Sequence, residues 1–307
     1  MQFRVLAASV CLALAASTPA AAEENAPRAY WVQQASLQSA EAVRRMVATA
    51  ATNGIDTLFV PVRTTLTNGF DALAEAIPAA RAQGMRVYAW LNVNLVSGPS
   101  ELPASRDHVI YQHPDWLMVP RELAPELMSV DVRSPEYLGR LARWTRANAD
   151  RLGGLFVSPL HPGAQAQLAA AAREIVSRYD VDGVHLDQLR FPGPDFDYSR
   201  GAVDAFRTSV RPRLSAAERA RIDAVELIDP FAYPEELGEE WRLFRQTQVT
   251  ALVTRLRTTI KSVRPDVVVS ATIVSDAGRA AQEAFQDWQT WMDNGFVDRL
   301  LPSEGQD

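Results

Sequence analysis

From Tyr30 to Asn92 helical and extended patterns alternate at short intervals, and this alternation narrows the fold more than any other feature. Tyr30-Trp31-Val32-Gln33 reads as a short strand. Ser39 then caps a helical pattern from Ala40 to Thr52, with Val43, Met46 and Val47 on one face and Asn53-Gly54 as the stop. Thr57 to Arg63 is a second strand, Phe70 to Gln83 a second helix closed by Gly84, and Arg86 to Val93 a third strand. Strands separated by helices predict a parallel sheet, because parallel neighbours need a crossover and a helix supplies it.

The rhythm then breaks. Asn94 to Gly153 is rich in Pro and aromatic residues and holds one clear helix, Pro135 to about Arg151. A connection this long in a compact domain is an insertion or a lid. An extended piece (Leu155 to Pro159), a helix (Ala164 to Arg178) and a strand around Val184 restore the pattern. Ala202 to Lys261 is mostly helical with an interruption near Asp229-Pro230. Val267 to Ile273 is a strand, Ala280 to Asn294 a helix and Val297 to Leu301 a last strand. The expected fold is α/β, a TIM (β/α)8-type barrel that is C-terminally incomplete, with about six strands identifiable from Trp31 onward. It is one barrel domain, residues 23–307, with the insertion around 94–153 and no internal repeat.

Residues 1–22 read as a leader rather than as part of the fold. Arg4 supplies the positive end, Val5 to Ala16 an apolar run too short for a bilayer span, and Thr18 to Ala22 small residues at the cleavage point. A cut after Ala22 implies an exported protein, periplasmic or secreted. The single cysteine, Cys11, sits inside the leader behind Val10, where a lipid-attachment signal wants a small residue. The mature chain then has no thiol and no disulfide. No later run is apolar enough for a membrane span, and a net charge of -6 argues against a nucleic-acid partner.

The candidate chemistry sits in Tyr179 to Pro192, where Val184 and Leu186 share one face of a strand and His185 and Asp187 the other. Polar groups at the end of an apolar strand need hydrogen-bond partners or a wet cleft. In a parallel barrel that end is where active sites are built. The same alternation puts Trp31 and Gln33, Phe59 and Arg63, Tyr88, Trp90 and Asn92, and Ser270 and Thr272 on the inner face. A carboxylate beside Trp rings, amides and guanidinium groups suits a sugar, whose CH faces stack on aromatics while its hydroxyls take hydrogen bonds. Trp31, Arg63, Trp90, Asn92, His185 and Arg190 are accordingly the expected substrate-binding residues. Histidines at 108, 113, 161 and 185 form no H-x-H or H-E-x-x-H pair, and the chain has no G-x-S-x-G, Walker A or G-x-G-x-x-G motif, so neither a metal nor a cofactor is expected. His161-Pro162 precedes a helix and reads as a loop contact rather than a base.

With these residues in view, the chain resembles the glycosyl-hydrolase-like 10 family over about Arg28 to Pro302. The pieces are Arg28-Ala29-Tyr30-Trp31-Val32, Thr57 to Arg63, Phe70-Asp71-Ala72-Leu73, Gly84 to Asn92, His113-Pro114-Asp115-Trp116-Leu117 and Tyr179 to Pro192. The resemblance implies an exported bacterial TIM-barrel glycoside hydrolase acting on cell-wall glycan, including peptidoglycan strands stripped of peptides. It also implies that Asp187, at the end of the fourth strand, is the nucleophile. Members continue past Val297 to Pro302 with further β/α units, and they more often carry an amide side chain where Pro61 stands here.

Glycoside hydrolysis normally uses two carboxyl groups, roughly 5 Å apart for retention and roughly 6.5–9.5 Å for inversion. The candidates to partner Asp187 are Asp276, just after the Ser270 strand, and Glu304, just after the last strand. The competing expectation is a non-catalytic glycan-binding barrel that has lost its acid/base group.

Overall fold

The computed structural model describes residues 28–62 and 70–303. The expected leader, Arg63 and Glu304 lie outside the described residues. Six strands, β1 (Ala29–Trp31), β2 (Thr57–Pro61), β3 (Arg86–Asn92), β4 (Gly183–Asp187), β5 (Val268–Val274) and β6 (Arg299–Ser303), form one sheet. They lie in chain order and every pairing is parallel, the winding of an incomplete barrel. The six-strand expectation holds.

The helices α1 (Ala40–Thr52), α2 (Ala72–Arg81), α3 (Pro135–Ala147), α4 (Pro162–Arg178), α5 (Arg200–Val210), α6 (Ala216–Glu226) and α7 (Gly238–Val263) alternate with these strands or decorate the connections. Side chains alternate across each strand as the sequence requires. Val87, Ala89 and Leu91 on β3, Val184 and Leu186 on β4, and Val269 and Ala271 on β5 are buried on the outer face. Val43, Val47 and Ala50 of α1 recur one helical turn apart and join the same core, as do Leu252, Leu256 and Ile260 of α7. Ser39 caps α1 by accepting from the Ala42 N–H, and Asp71 caps α2 by accepting from the Ala74 N–H. Among the described residues no helix is long and apolar enough to cross a membrane.

The insertion packs around a second, smaller core that includes its Leu117, Val119, Leu127 and Leu141, joined by Phe231 from later in the chain. Leu155–Phe156 pairs antiparallel with Leu95–Ser97, so the extended piece after Gly153 forms a ribbon outside the barrel sheet. Gly154 permits it: a Cβ there would stand 1.9 Å from the Ser97 carbonyl oxygen, and its φ is +148°.

Two expected elements change. The helix expected over Ala280 to Asn294 breaks into a π-turn (Ala280–Ala284) and a short helix (Trp288–Asp293), with Phe285 at φ +56°. Tertiary contacts override the helical pattern there. The Phe285 ring is fully buried edge-on to Phe191, and Gln286 turns inward to bond backbone groups of the sheet. The last strand begins at Arg299 rather than Val297, because Asp298 is used just below it.

That use recurs. Asp56, Asp182 and Asp298 each stand one residue before an even-numbered strand, β2, β4 and β6. The Asp56 carboxylate accepts from the Arg28 N–H at 2.7 Å, that of Asp182 from Val87 N–H at 2.8 Å, and that of Asp298 from Val269 N–H at 2.8 Å. Each therefore closes the foot of the preceding odd-numbered strand, where the ladder would otherwise leave a donor without a partner.

Candidate active site

The interior beneath the site is an aromatic layer. Trp31 stacks on Phe59 with centroids 4.5 Å apart, and Phe59 meets Tyr88 at 5.3 Å and His185 at 4.7 Å. The inner-face sorting of these residues is therefore right, and Trp31 stands in this layer. Gly183 makes room for it, since any Cβ there would lie 2.3 Å from the Tyr88 ring. His185 is fully buried, with Nδ1 3.0 Å from Ser270 Oγ and Nε2 2.9 Å from Thr272 Oγ1. Burial pushes its imidazole down to about 4, against the opposing pull of the Asp187 charge. His185 is therefore neutral at neutral pH and orients hydroxyls rather than carrying charge.

Two residues further along β4, Asp187 reaches the strand's C-terminal end. Its Oδ2 accepts from the Trp90 indole N–H at 2.9 Å, and its Oδ1 accepts from the Gln188 N–H at 2.8 Å. Gln188 holds φ +53°, a left-handed conformation unusual outside glycine, and its Oε1 is buried with no partner among the described residues. Backbone strain of this kind persists where surrounding structure fixes it, and here it bends the chain sharply beside the carboxylate. Arg190 is partly buried two residues on, with its guanidinium over the Phe156 ring and Nη1 donating to the Phe191 carbonyl. Burial lowers its affinity for the proton and the Asp187 charge restores part of it. Asn92 lies directly across the ladder from Asp187 and is exposed. The structure thus gathers Asp187, Trp90, Asn92, His185 and Arg190 at neighbouring positions.

Asp276 behaves differently. It is exposed and caps the short helix Ala277–Arg279, its Oδ1 accepting from the Arg279 N–H at 2.7 Å. Its place just beyond β5 puts it past the same strand ends as Asp187, but its carboxylate is engaged in local structure.

A cleft of about 620 Å³ opens beside these strand ends, walled by Trp90, Asn92, Pro61, His108, Trp116 and Gln167. The volume lies within the range of small-molecule sites. Asp187 does not itself line this cleft; it bonds the indole of Trp90, which does. Sequence patterns gave no signal for three residues that hold the site's frame. Gln286, 2% exposed, donates through Nε2 to the carbonyls of Leu189 and Thr272 and accepts through Oε1 from the Val274 N–H. Arg245 is buried and donates to the carbonyls of Pro194 and Phe196 in the loop after Asp187. Asp197, fully buried, accepts from the N–H groups of Val119 and Ser199.

A singly wound parallel sheet of six strands, with a carboxylate at the end of its fourth strand beside an aromatic-walled cleft, is the winding of an incomplete TIM-type barrel. The model of the family Glycosyl hydrolase-like 10 matches residues 59–303, and the chain belongs to that family. It is 24% identical over 248 residues to the glycosyl hydrolase DigH of Escherichia coli O6:H1, a match covering 76% of this chain and 46% of that protein. The chain thus spans about half the length of that relative. Among solved structures it is similar to the glycoside hydrolase domain of PgaB (BpsB) from Bordetella bronchiseptica, with TM-score 0.52 at 12% identity, covering 90% of this chain and 73% of that one. A β-galactosidase from Rahnella sp. R3 gives TM-score 0.56 at 14% identity, covering 91% of this chain and 38% of that enzyme. At such identities these structures speak for the fold.

Proposed function

We propose that the protein is an exported glycoside hydrolase acting on bacterial cell-wall glycan, with peptide-free peptidoglycan strands as substrate and Asp187 as the carboxylate at the anomeric centre. The observation that carries this reading is the setting of Asp187. Its two oxygens accept from Trp90 and Gln188, which holds the carboxylate in one orientation at the barrel rim. A carboxylate fixed in this way can attack the anomeric carbon or stabilise the positive charge that develops there. Trp90 and Asn92 on the cleft wall offer a stacking face and an amide to the sugar. Arg190 supplies a cation beside the carboxylate. Family membership supports the reaction class, while export rests on the leader and the cell-wall substrate on the family resemblance.

The residue that protonates the leaving oxygen is the open part of the mechanism, with Asp276 and Glu304 as candidates. The capping of a helix by Asp276 favours a second reading, a glycan-binding barrel without turnover. One assay separates the two: release of reducing ends from peptide-free peptidoglycan strands by wild type and Asp187→Asn. The amide keeps the shape of the side chain but can neither attack nor stabilise a cation, so turnover should fall by about three orders of magnitude or more. Equal rates would remove Asp187 from the mechanism, and binding without release by the wild type would establish the second reading.

A further inference from the structure

A second hollow lies under the insertion. Its volume is about 360 Å³, and its wall includes Asp115, Asp131, Tyr137, His161, Tyr198 and Arg200. It adjoins the strand-end cleft. Trp116 walls the cleft, His161 walls the hollow, and their rings lie 5.3 Å apart. The loop that starts at Asp187 ends at this hollow, and Asp197 ties it to the insertion through the Val119 N–H.

Tyr137 is the informative residue. It is 5% exposed, and its hydroxyl makes no hydrogen bond among the described residues. The hydroxyl keeps some access to solvent, so water or a ligand in the hollow can supply the contact it lacks within the chain. Burial, with the nearby charges of Asp197 and Asp115, raises the phenol's pKa and so keeps it protonated, able to donate. Asp115 and Asp131 add acceptors, and Arg200 adds donors beyond the one its Nη2 gives to the Met128 carbonyl. His161 adds no positive charge at neutral pH: burial lowers its imidazole's pKa against the Asp115 charge, and its Nδ1 accepts from the Gly163 N–H. Two carboxylates against one guanidinium disfavour an anion. Rings, a free hydroxyl and mixed donors and acceptors suit a polyhydroxyl unit.

We infer that this hollow is a second sugar subsite, taking one uncharged pyranose unit of a glycan whose neighbouring units lie in the strand-end cleft. The inference rests on the glycan reading above but does not require hydrolysis. Trp116 and His161 form the ridge that the chain crosses, and Tyr137 donates to a hydroxyl of the unit beyond it.

The test is calorimetric titration of the full chain with the β-1,4-linked trimer of N-acetylglucosamine and with a uronic acid trimer. Tyr137→Phe removes only this hydroxyl, so it should weaken neutral-trimer binding about fivefold to tenfold while the melting temperature holds. Gly201 also lines the hollow, and a Cβ there meets nothing within 4 Å, so Gly201→Leu should fill the space and weaken binding by more than tenfold. If Gly201→Leu fails to fold, Tyr137→Phe decides alone. Wild-type affinity in Tyr137→Phe, no binding of the neutral trimer by wild type, or tighter binding of the uronic trimer would each overturn the subsite. If Asp187→Asn abolishes release of reducing ends while Tyr137→Phe binds as wild type does, the subsite falls and the hydrolase stands. Tyr137-dependent binding with no release by the wild type has the opposite meaning.

Discussion

Gly183→Ala probes the aromatic layer that supports the site. An alanine Cβ would stand 2.3, 2.4 and 2.8 Å from three atoms of the Tyr88 ring. Real carbon contacts fall near 3.5–4.0 Å, so the ring must yield by about 1 Å or more. It has little room, because Tyr88 is 2% exposed and packs against Phe59, which in turn packs against His185. Overpacking of this kind costs about 1–3 kcal/mol. Replacing glycine inside a strand returns about 0.5–1 kcal/mol through lost chain entropy. The net loss is about 1–2 kcal/mol, a fall in melting temperature of roughly 3–6 °C for a chain of this size class. In a Tyr88→Leu background the obstacle is gone, and the same Gly183→Ala change should be neutral or mildly stabilising. Differential scanning fluorimetry of the four proteins in this cycle gives the coupling directly. Equal effects of Gly183→Ala in both backgrounds would show that the Tyr88 ring does not lie across Gly183, and the layer beneath Asp187 would need a different description.

The His185 imidazole should stay neutral in the folded protein down to about pH 4, which NMR titration of its ring protons reads directly. Its folded pKa is depressed below the ordinary 6.5, so the stability it contributes is full above that value and is lost as pH falls toward 4, about 3 kcal/mol in all; a ring titrating near 6.5 would contradict this. Asp182→Ala strips the partner from the Val87 N–H, a residue with no exposure, and should cost about 1–3 kcal/mol in urea unfolding. Asp182→Asn keeps an acceptor oxygen and should restore most of that loss; an asparagine variant as unstable as the alanine one would show that the acceptor is not what matters.

Much of the fold was legible because strand alternation and helix periodicity are local properties. α1 runs over the expected Ala40–Thr52, and His185 and Asp187 share the inner face as their spacing implies. The site was legible as far as strand ends carry it: Asp187, Trp90 and Asn92 meet because adjacent parallel strands end together. What could not be read was set by partners distant in sequence. Gln286 lies inside an apparent helix, and only its bonds to Leu189, Thr272 and Val274 explain why that helix breaks. Arg245 sits on α7 as one arginine among many, and nothing local marks it as the residue that meets the carbonyls of Pro194 and Phe196. Asp276 shows the opposite limit, since an aspartate ahead of a helical turn is both a catalytic candidate and an ordinary cap, and its bond to the Arg279 N–H is a cap's.

Asp56, Asp182 and Asp298 lie at the foot of the sheet, far along the strands from any chemistry, yet they bear on what the rim can do. A strand that slid by one residue would turn every inward side chain outward and send His185 into the helix layer. Each of these carboxylates grips a single backbone N–H of the strand beside it, so sliding would cost a charge-assisted hydrogen bond at once. They serve β1 with β2, β3 with β4 and β5 with β6, which makes the barrel a series of indexed couples whose period the amino-acid sequence conceals. The alignment of Asp187 with Asn92 at the top is thus held from below, by a peg at the opposite end of the same two strands.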